Sequence, residues 1–347
     1  MKPSETLDRI SRNRSALIQR KRLVMASFAL ILLVTFFLCL GFGNYQISTH
    51  EIWMIFKSKL FGLASPIEEV KTNIVWSIRL PRLLLSIFVG MGLSISGLVF
   101  QGVFKNPLVE PYVLGVSSGA AFGAALSIVF SFLTIELSSI LFALLSVFLC
   151  HAIAFDKNET PIIRLLLSGV IVSTIFSALL NLLKIMASNG ELREIVFWLM
   201  GGLYVGNWES VVKVSLATGI IFLLFFQMAW KLNLLSLNEE EALSLGLNPF
   251  IYKTIFIFFA TFLTAICVSQ VGIISWIGLM IPHICRMLFG ADHRYLLPSS
   301  AIFGGLFLLI ADTLARTLVM GEIPISIITS LIGSPYLIYL LRKKRSF

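Results

Sequence analysis

Residues 79–123 read RLPRLLLSIFVGMGLSISGLVFQGVFKNPLVEPYVLGVSSGAAFG. Two apolar runs are joined by a short turn that carries Pro107 and Pro111. Arg79 and Arg82 precede the first run three positions apart, so on a helix they share one face, and Pro81 suits the first turn of that helix. In the second run Gly115, Gly119 and Gly123 recur at every fourth position, as Gly92 and Ser96 do in the first. That spacing lets helix backbones approach closely inside a bilayer. The stretch reads as two membrane-spanning helices, residues 83–104 and 111–135, crossing in opposite directions.

Composition extends this reading to the whole chain. Of 347 residues 57% are hydrophobic and only 13% charged, where a soluble domain carries about a quarter charged residues. The net charge of +9 does not point to nucleic acid. The basic residues sit at the two ends and between apolar runs, which is how charge orients a membrane protein. The leader, residues 1–22, carries Lys2, Arg9, Arg12, Arg14, Arg20, Lys21 and Arg22. The apolar run behind it has no small-residue cleavage site and is long enough to span, so it is a retained first helix. The four cysteines form no CxxC pair, and neither disulfides nor zinc are implied.

A crossing needs about 20 mainly apolar residues, and the chain supplies ten: 23–42, 83–104, 111–135, 137–155, 165–183, 214–230, 254–271, 273–289, 296–314 and 324–341. The pair at 254–289 comes from splitting one long apolar run at Gly272. Ser48 and Glu51 have the spacing of a capping box and predict a short interfacial helix through Trp53. An even number of spans leaves both termini cytoplasmic, in agreement with the basic tail at 343–347. The fold class expected is an all-α polytopic membrane protein, 23–342 forming one domain. An inverted internal repeat of helices 2–5 and 7–10 is compatible with the directions of the spans.

The functional signals begin with absences. No charged residue falls near the middle of any span: Glu110, Glu136, Asp312 and Glu322 all lie near span ends. Charges deep in a bilayer usually mark ion or proton routes, so their absence counts against an ion-coupled carrier. No GxxxxGK[ST] phosphate loop occurs, so the chain cannot itself hydrolyse nucleotide. His283 and Cys285 are two apart, on different helix faces, and imply no metal site. Gly92, Ser96, Gly115, Gly119 and Gly123 are packing positions, and Ser94, Ser117 and Ser118 are candidates to line a path. Arg79, Arg82 and Arg316 at the outer face either snorkel to lipid phosphates or present positive charge to an acidic partner. Asp312, four residues before Arg316, is placed to pair with it along the helix. In the cytoplasmic loop 231–249, Asn238 can cap a short helix, Glu239, Glu240 and Glu241 suit its N-terminus, and Gly246 can end it. Ala242, Leu243 and Leu245 would then be available to a cytoplasmic partner.

Taken together, RLPR, SGLVFQGVFKNPLVEPYVLGVSSGAAFGA, FWLMGG, LNEEEALSLGL, GIISWIGLMIPHICR, ADHRYLLP, ADTLAR and EIPISIITSLIGSPYLIYLL resemble the permease subunits of bacterial iron–siderophore, haem and vitamin B12 importers. These are the FecCD/BtuC-type subunits of type II ATP-binding-cassette (ABC) importers. The motifs follow the family's order from span 1 to the C-terminus. The resemblance implies a subunit of the bacterial inner membrane that is no enzyme and binds no cofactor. It also implies a homodimer with a path between two copies, two separate ATPase subunits that use ATP-Mg, a substrate-binding protein and a metal-chelate cargo. Arg79, Arg82 and Arg316 match arginines that face the binding protein in that family. Asn106, Pro107 and Leu108 match the turn at its cytoplasmic mouth, and residues 237–247 match the segment that contacts the ATPase.

Overall fold

At the centre of the structure is a helix with almost no free face. The computed structural model describes residues 3–342 apart from 44, 63–66, 156–160, 205 and 319–321, so the basic tail at 343–347 and the first part, 156–160, of the polar loop 156–164 lie outside the described residues. Helix α1 is Pro3–Gly41, α2 Thr49–Phe61 and α3 Glu69–Asn73, and a π-helical stretch Ile74–Arg79 runs without a break into α4, Leu80–Val103. A 3-10 turn, Pro111–Leu114, precedes α5, Val116–Phe130. There follow α6 Ile135–Ala154, α7 Ile162–Met186, α8 Asn189–Met200, α9 Trp208–Gln227, α10 Ala229–Leu235 and α11 Glu239–Ser244. The chain ends with α12 Pro249–Val271, α13 Ile277–Phe289, α14 His293–Thr317 and α15 Ile325–Arg342. Seven segments are long and apolar enough to cross a membrane, and three shorter apolar helices, in α5, α13 and α15, bring the described spans to ten.

Helix α4 is buried nearly along its whole length because α9, α12, α13 and α14 pack around it. Glycine makes this geometry available. A Cβ on Gly97 would fall 1.9 Å from the Gly278 carbonyl oxygen of α13, and one on Gly90 would fall 2.2 Å from Gly304 O of α14. Backbones touch at both points, the close approach that small residues permit where lipid offers no hydrophobic drive between helices. Gly119 and Gly123 do the same for α5 against α6, facing Phe142 O and Ser138 O at 2.4 and 2.3 Å. Gly92 sits against Cys267 of α12.

Several spans depart from their expected form. The span placed at 111–135 is not one helix. Gly115 adopts φ +75°, which ends the 3-10 turn and starts α5, and α5 stops at Phe130. The leader is not separate from span 1, since α1 is continuous from Pro3. The span placed at 214–230 is α9, which begins earlier and ends at Gln227, after which α10 makes a separate short helix. Gly272, with φ +71°, does end α12, and a turn through Trp276 leads into α13. The Ser48–Glu51 capping box is present at the start of α2, because both its partners lie within one turn of sequence.

Candidate functional site

Three places along the bundle carry polar chemistry. The first is the outer end, where the three arginines meet. Arg79 is buried and donates to the Leu40 carbonyl (2.8 Å) and to that of Tyr45. Arg316 donates to Phe42 O (2.6 Å) and Cys39 O (2.7 Å). Both guanidiniums therefore satisfy carbonyls in and just beyond the last turn of α1, the place where a helix leaves acceptors without partners and where its dipole favours cations. Arg82 is held by Asp312 at 2.9 Å and Glu322 at 2.7 Å. Asp312 is fully buried and belongs chiefly to Arg82, 230 residues away, since its along-helix partner Arg316 stands at 3.9 Å. The three side chains expected to face outward are thus engaged inside the chain. Beside them a cavity of about 670 Å³ opens, lined among others by Arg82, Glu322, Trp198, Gln270 and the Lys213–Glu136 ion pair.

The second place is deep in the bundle. The 3-10 turn before α5 and the turn before α13 meet there: Tyr112 donates its hydroxyl to Ile274 O at 2.8 Å, and Gly278 packs on Pro111. Gly278 also faces Leu93 and Gly97 of α4, ten and six residues before the helix ends at Val103. By helical rise that is about 9–15 Å from the cytoplasmic end of α4. Glu110, the residue immediately before the 3-10 turn, lies at this depth. Its sequence position near a span end hid this, because the chain turns back into the bundle after Leu108. Trp276 itself has φ +76°, stacks its ring on Gly333 and donates Nε1–H to Ser330 of α15 at 3.2 Å. Ser117 and Ser118 are half-buried nearby on α5. Ser94, expected on a path wall, is instead wholly buried against Gly304, and Ser96 is buried likewise.

The third place is the cytoplasmic end. Helix α4 finishes with Asn106 N–H bonded to Gln101 O and Lys105 N–H to Gly102 O. This is a Schellman motif, and its left-handed position is normally a glycine. Here it is Lys105, with φ +52°. Asn106 then folds the turn by accepting Leu108 N–H on Oδ1 at 2.9 Å, leaving Asn106 and Leu108 exposed and Pro107 half-buried. Behind the turn, Gln101 donates to Leu279 O at 3.0 Å and, more weakly, to Gly278 O. Pro282 has no N–H for Gly278 O, so Gln101 supplies a donor to a helix that proline has opened.

Helix α11 stands alongside. Its acidic first turn, Glu239, Glu240 and Glu241, follows N-cap Asn238, and Gly246 adopts φ +81° beyond its end. Leu243 and Leu245 are exposed, at 56% and 60%, whereas Ala242 is buried against the chain's own core and is not available to a partner. Glu239 pairs with Lys253 of α12, and Lys105 donates to Leu237 O just before α11. The hydrogen bond from Lys253 holds the Glu239 carboxyl below the usual carboxylate range. Helix α10 is fixed to α14 through Asn233, whose Oδ1 accepts His293 N–H at 2.9 Å and whose amide donates to Asp292 at 2.9 Å. Sequence reading missed Lys105, Lys253 and Asn233. Only the left-handed lysine had a local signal, an α-helix closing on Phe-Lys-Asn-Pro with no glycine.

Residues 31–343 match the FecCD transport family. The chain is 40% identical over 326 residues to the molybdate import system permease protein MolB of Haemophilus influenzae, covering 92% of this chain and 96% of that one. It is 37% identical over 336 residues to the hemin transport system permease protein HmuU of Yersinia pestis, covering 93% and 96%. Among solved structures it superposes with a TM-score of 0.83, at 38% identity, on an inward-facing conformation of a metal-chelate type ABC transporter, over 92% of this chain and 99% of that chain.

Proposed function

The chain belongs to the FecCD transport family, and on that premise we propose that it is the membrane-spanning subunit of an ATP-driven importer whose cargo is a metal chelate. Iron–siderophore leads, with haem or cobalamin next. The observation that carries the reading is the likeness to an ABC transporter chain over 92% of this chain and 99% of that one. Two copies of the chain would enclose the path, and separate ATPase subunits would supply the hydrolysis that a chain without a phosphate loop cannot. Leu243 and Leu245, two exposed leucines on and just past a short helix at the cytoplasmic end, suit the ATPase contact. The outer end suits a binding protein with acidic side chains, because Glu322 is half exposed where it holds Arg82. A partner carboxylate would take the place of Glu322, with Arg79 and Arg316 keeping the surface in shape from behind.

Cargo is tested in proteoliposomes holding the chain with its ATPase subunits and binding protein. Uptake of radioiron–siderophore, competed by hemin or cobalamin and not by molybdate, is the expected result. Competition by molybdate alone would replace the chelate with the oxyanion that the 40% identical relative is named for. A second reading, an ion-coupled carrier acting without an ATPase, is favoured by one observation, the carboxylate of Glu110 at mid-depth. Uptake by the purified chain alone, abolished in Glu110→Gln, would establish it.

A further inference from the structure

We infer that Lys105, Glu239 and Lys253 form a latch that ties the helix contacting the ATPase to the cytoplasmic end of α4, and that the latch carries motion from one to the other. The inference rests on the ABC-importer reading above and names the residues through which it would work.

Three observations converge. Lys105 occupies the left-handed position of the Schellman motif closing α4, where a side chain is strained and glycine is not. Such strain persists only when the surroundings hold it. Its ammonium is spent on Leu237 O, in the residue before the N-cap of α11. A glycine would close α4 as well but would give up this side-chain bond to the start of α11. From the other side, Glu239 at the first position of α11 pairs with Lys253, a lysine 8% exposed at the start of α12. Helix α11 is six residues long and buries only Ala242, so little else holds it in register. Its neighbour α10, in contrast, is pinned to α14 by Asn233. A partner pressing on Leu243 and Leu245 would therefore move α11 against a fixed α10, and the displacement would reach α4 through Lys105. The turn Asn106–Leu108 follows Lys105 directly and would move with it.

The test uses the full complex of chain and ATPase subunits in proteoliposomes, with Leu108→Cys as reporter. The four native cysteines are buried, so maleimide reads the introduced thiol. ATP with vanadate should change the labelling rate several-fold in the otherwise native chain. Lys105→Met and Lys105→Gly should each abolish that change while ATP hydrolysis by the complex continues, and Glu239→Gln should abolish the change as well. The exchanged pair Glu239→Lys with Lys253→Glu should restore it, which a merely structural lysine would not require. A native-sized response in the single variants, or an exchanged pair that stays silent, overturns the latch. A native chain that neither retains the ATPase subunits nor responds to nucleotide overturns the underlying reading and the latch with it.

Discussion

The outer and cytoplasmic ends of this bundle use the same kind of residue for opposite purposes. At the outer end, Arg79 and Arg316 are turned onto the carbonyls that close α1, and Arg82 is enclosed by two carboxylates. Each cation there completes an unsatisfied part of the chain itself. At the cytoplasmic end, Lys105 sits in a backbone conformation that disfavours it and reaches out to the carbonyl of Leu237, just before α11. A cation that mends a helix end belongs to stability. A cation that costs the backbone strain in order to reach another element is better explained by motion between them. The distinction depends on partners and dihedral angles, and charge or position in the sequence does not reveal it.

The comparison breaks most visibly at Arg82. Replacing it with methionine leaves Asp312 buried with its nearest remaining cation, Arg316, at 3.9 Å. Removing one partner of a buried pair costs about 3–5 kcal/mol. Arg82→Met should therefore unfold at clearly lower temperature in detergent, while Arg82→Met with Asp312→Leu should recover most of the loss, since an apolar pair of similar volume is often tolerated. If Arg82→Met melts like the native chain, the outer cations are not structural and the contrast collapses.

The Lys105 position sharpens the same contrast from the other side. Lys105→Gly relieves a left-handed strain of about 1–2 kcal/mol and gives up a hydrogen bond worth about 0.5–1.5 kcal/mol. Glycine also adds unfolded-chain entropy worth about 0.5–1 kcal/mol. The net change in stability should lie within about 1.5 kcal/mol of zero, read as an unfolding midpoint close to the native one. A midpoint shift as large as that of Arg82→Met would make Lys105 structural and remove the reason for assigning it to coupling.

What could be read in advance was whatever is local. Ser48 and Glu51 are three residues apart and form their capping box. Gly272 lies within the run it divides, and α12 ends there. The glycine spacing in 79–123 announced close packing, although not that Gly97 and Gly90 would be the points where α4 meets α13 and α14. What escaped reading joins residues far apart in sequence. The Asp312 carboxylate was paired with Arg316 four residues on because helix geometry makes that contact available, yet folding brings Arg82 closer. Glu110 was placed near a membrane surface because it sits near the end of an apolar run. Depth follows sequence only along an unbroken helix, and this chain re-enters the bundle before α5 begins. Ala242 was offered to a partner because a six-residue helix is too short for its pattern to show which side faces its own core.

The smallest expected effect is a difference in acid response within the outer end. Glu51, at the start of α2, accepts hydrogen bonds from Lys71 at 2.6 Å and from Ser48, and these hold its pKa at about 2 instead of the usual 4.5. A carboxylate whose folded pKa is depressed contributes stability that is complete above its unfolded value and is lost as pH falls through the folded one. The tie between α2 and the start of α3 should thus be intact at neutral pH, weaken below about 4.5 and be gone below about 2. The pair is only partly buried, so the effect should be local: the protection of amides across Thr49–Phe61, corrected for the intrinsic pH dependence of exchange, should fall through that window while α4 stays protected. Glu51→Gln should show the same corrected protection across the whole range. A native α2 whose corrected protection does not change with pH would show that the capping box and the apolar contacts of Ile52 and Ile55 hold this helix without help from charge, and that even at the outer end not every ion pair is structural.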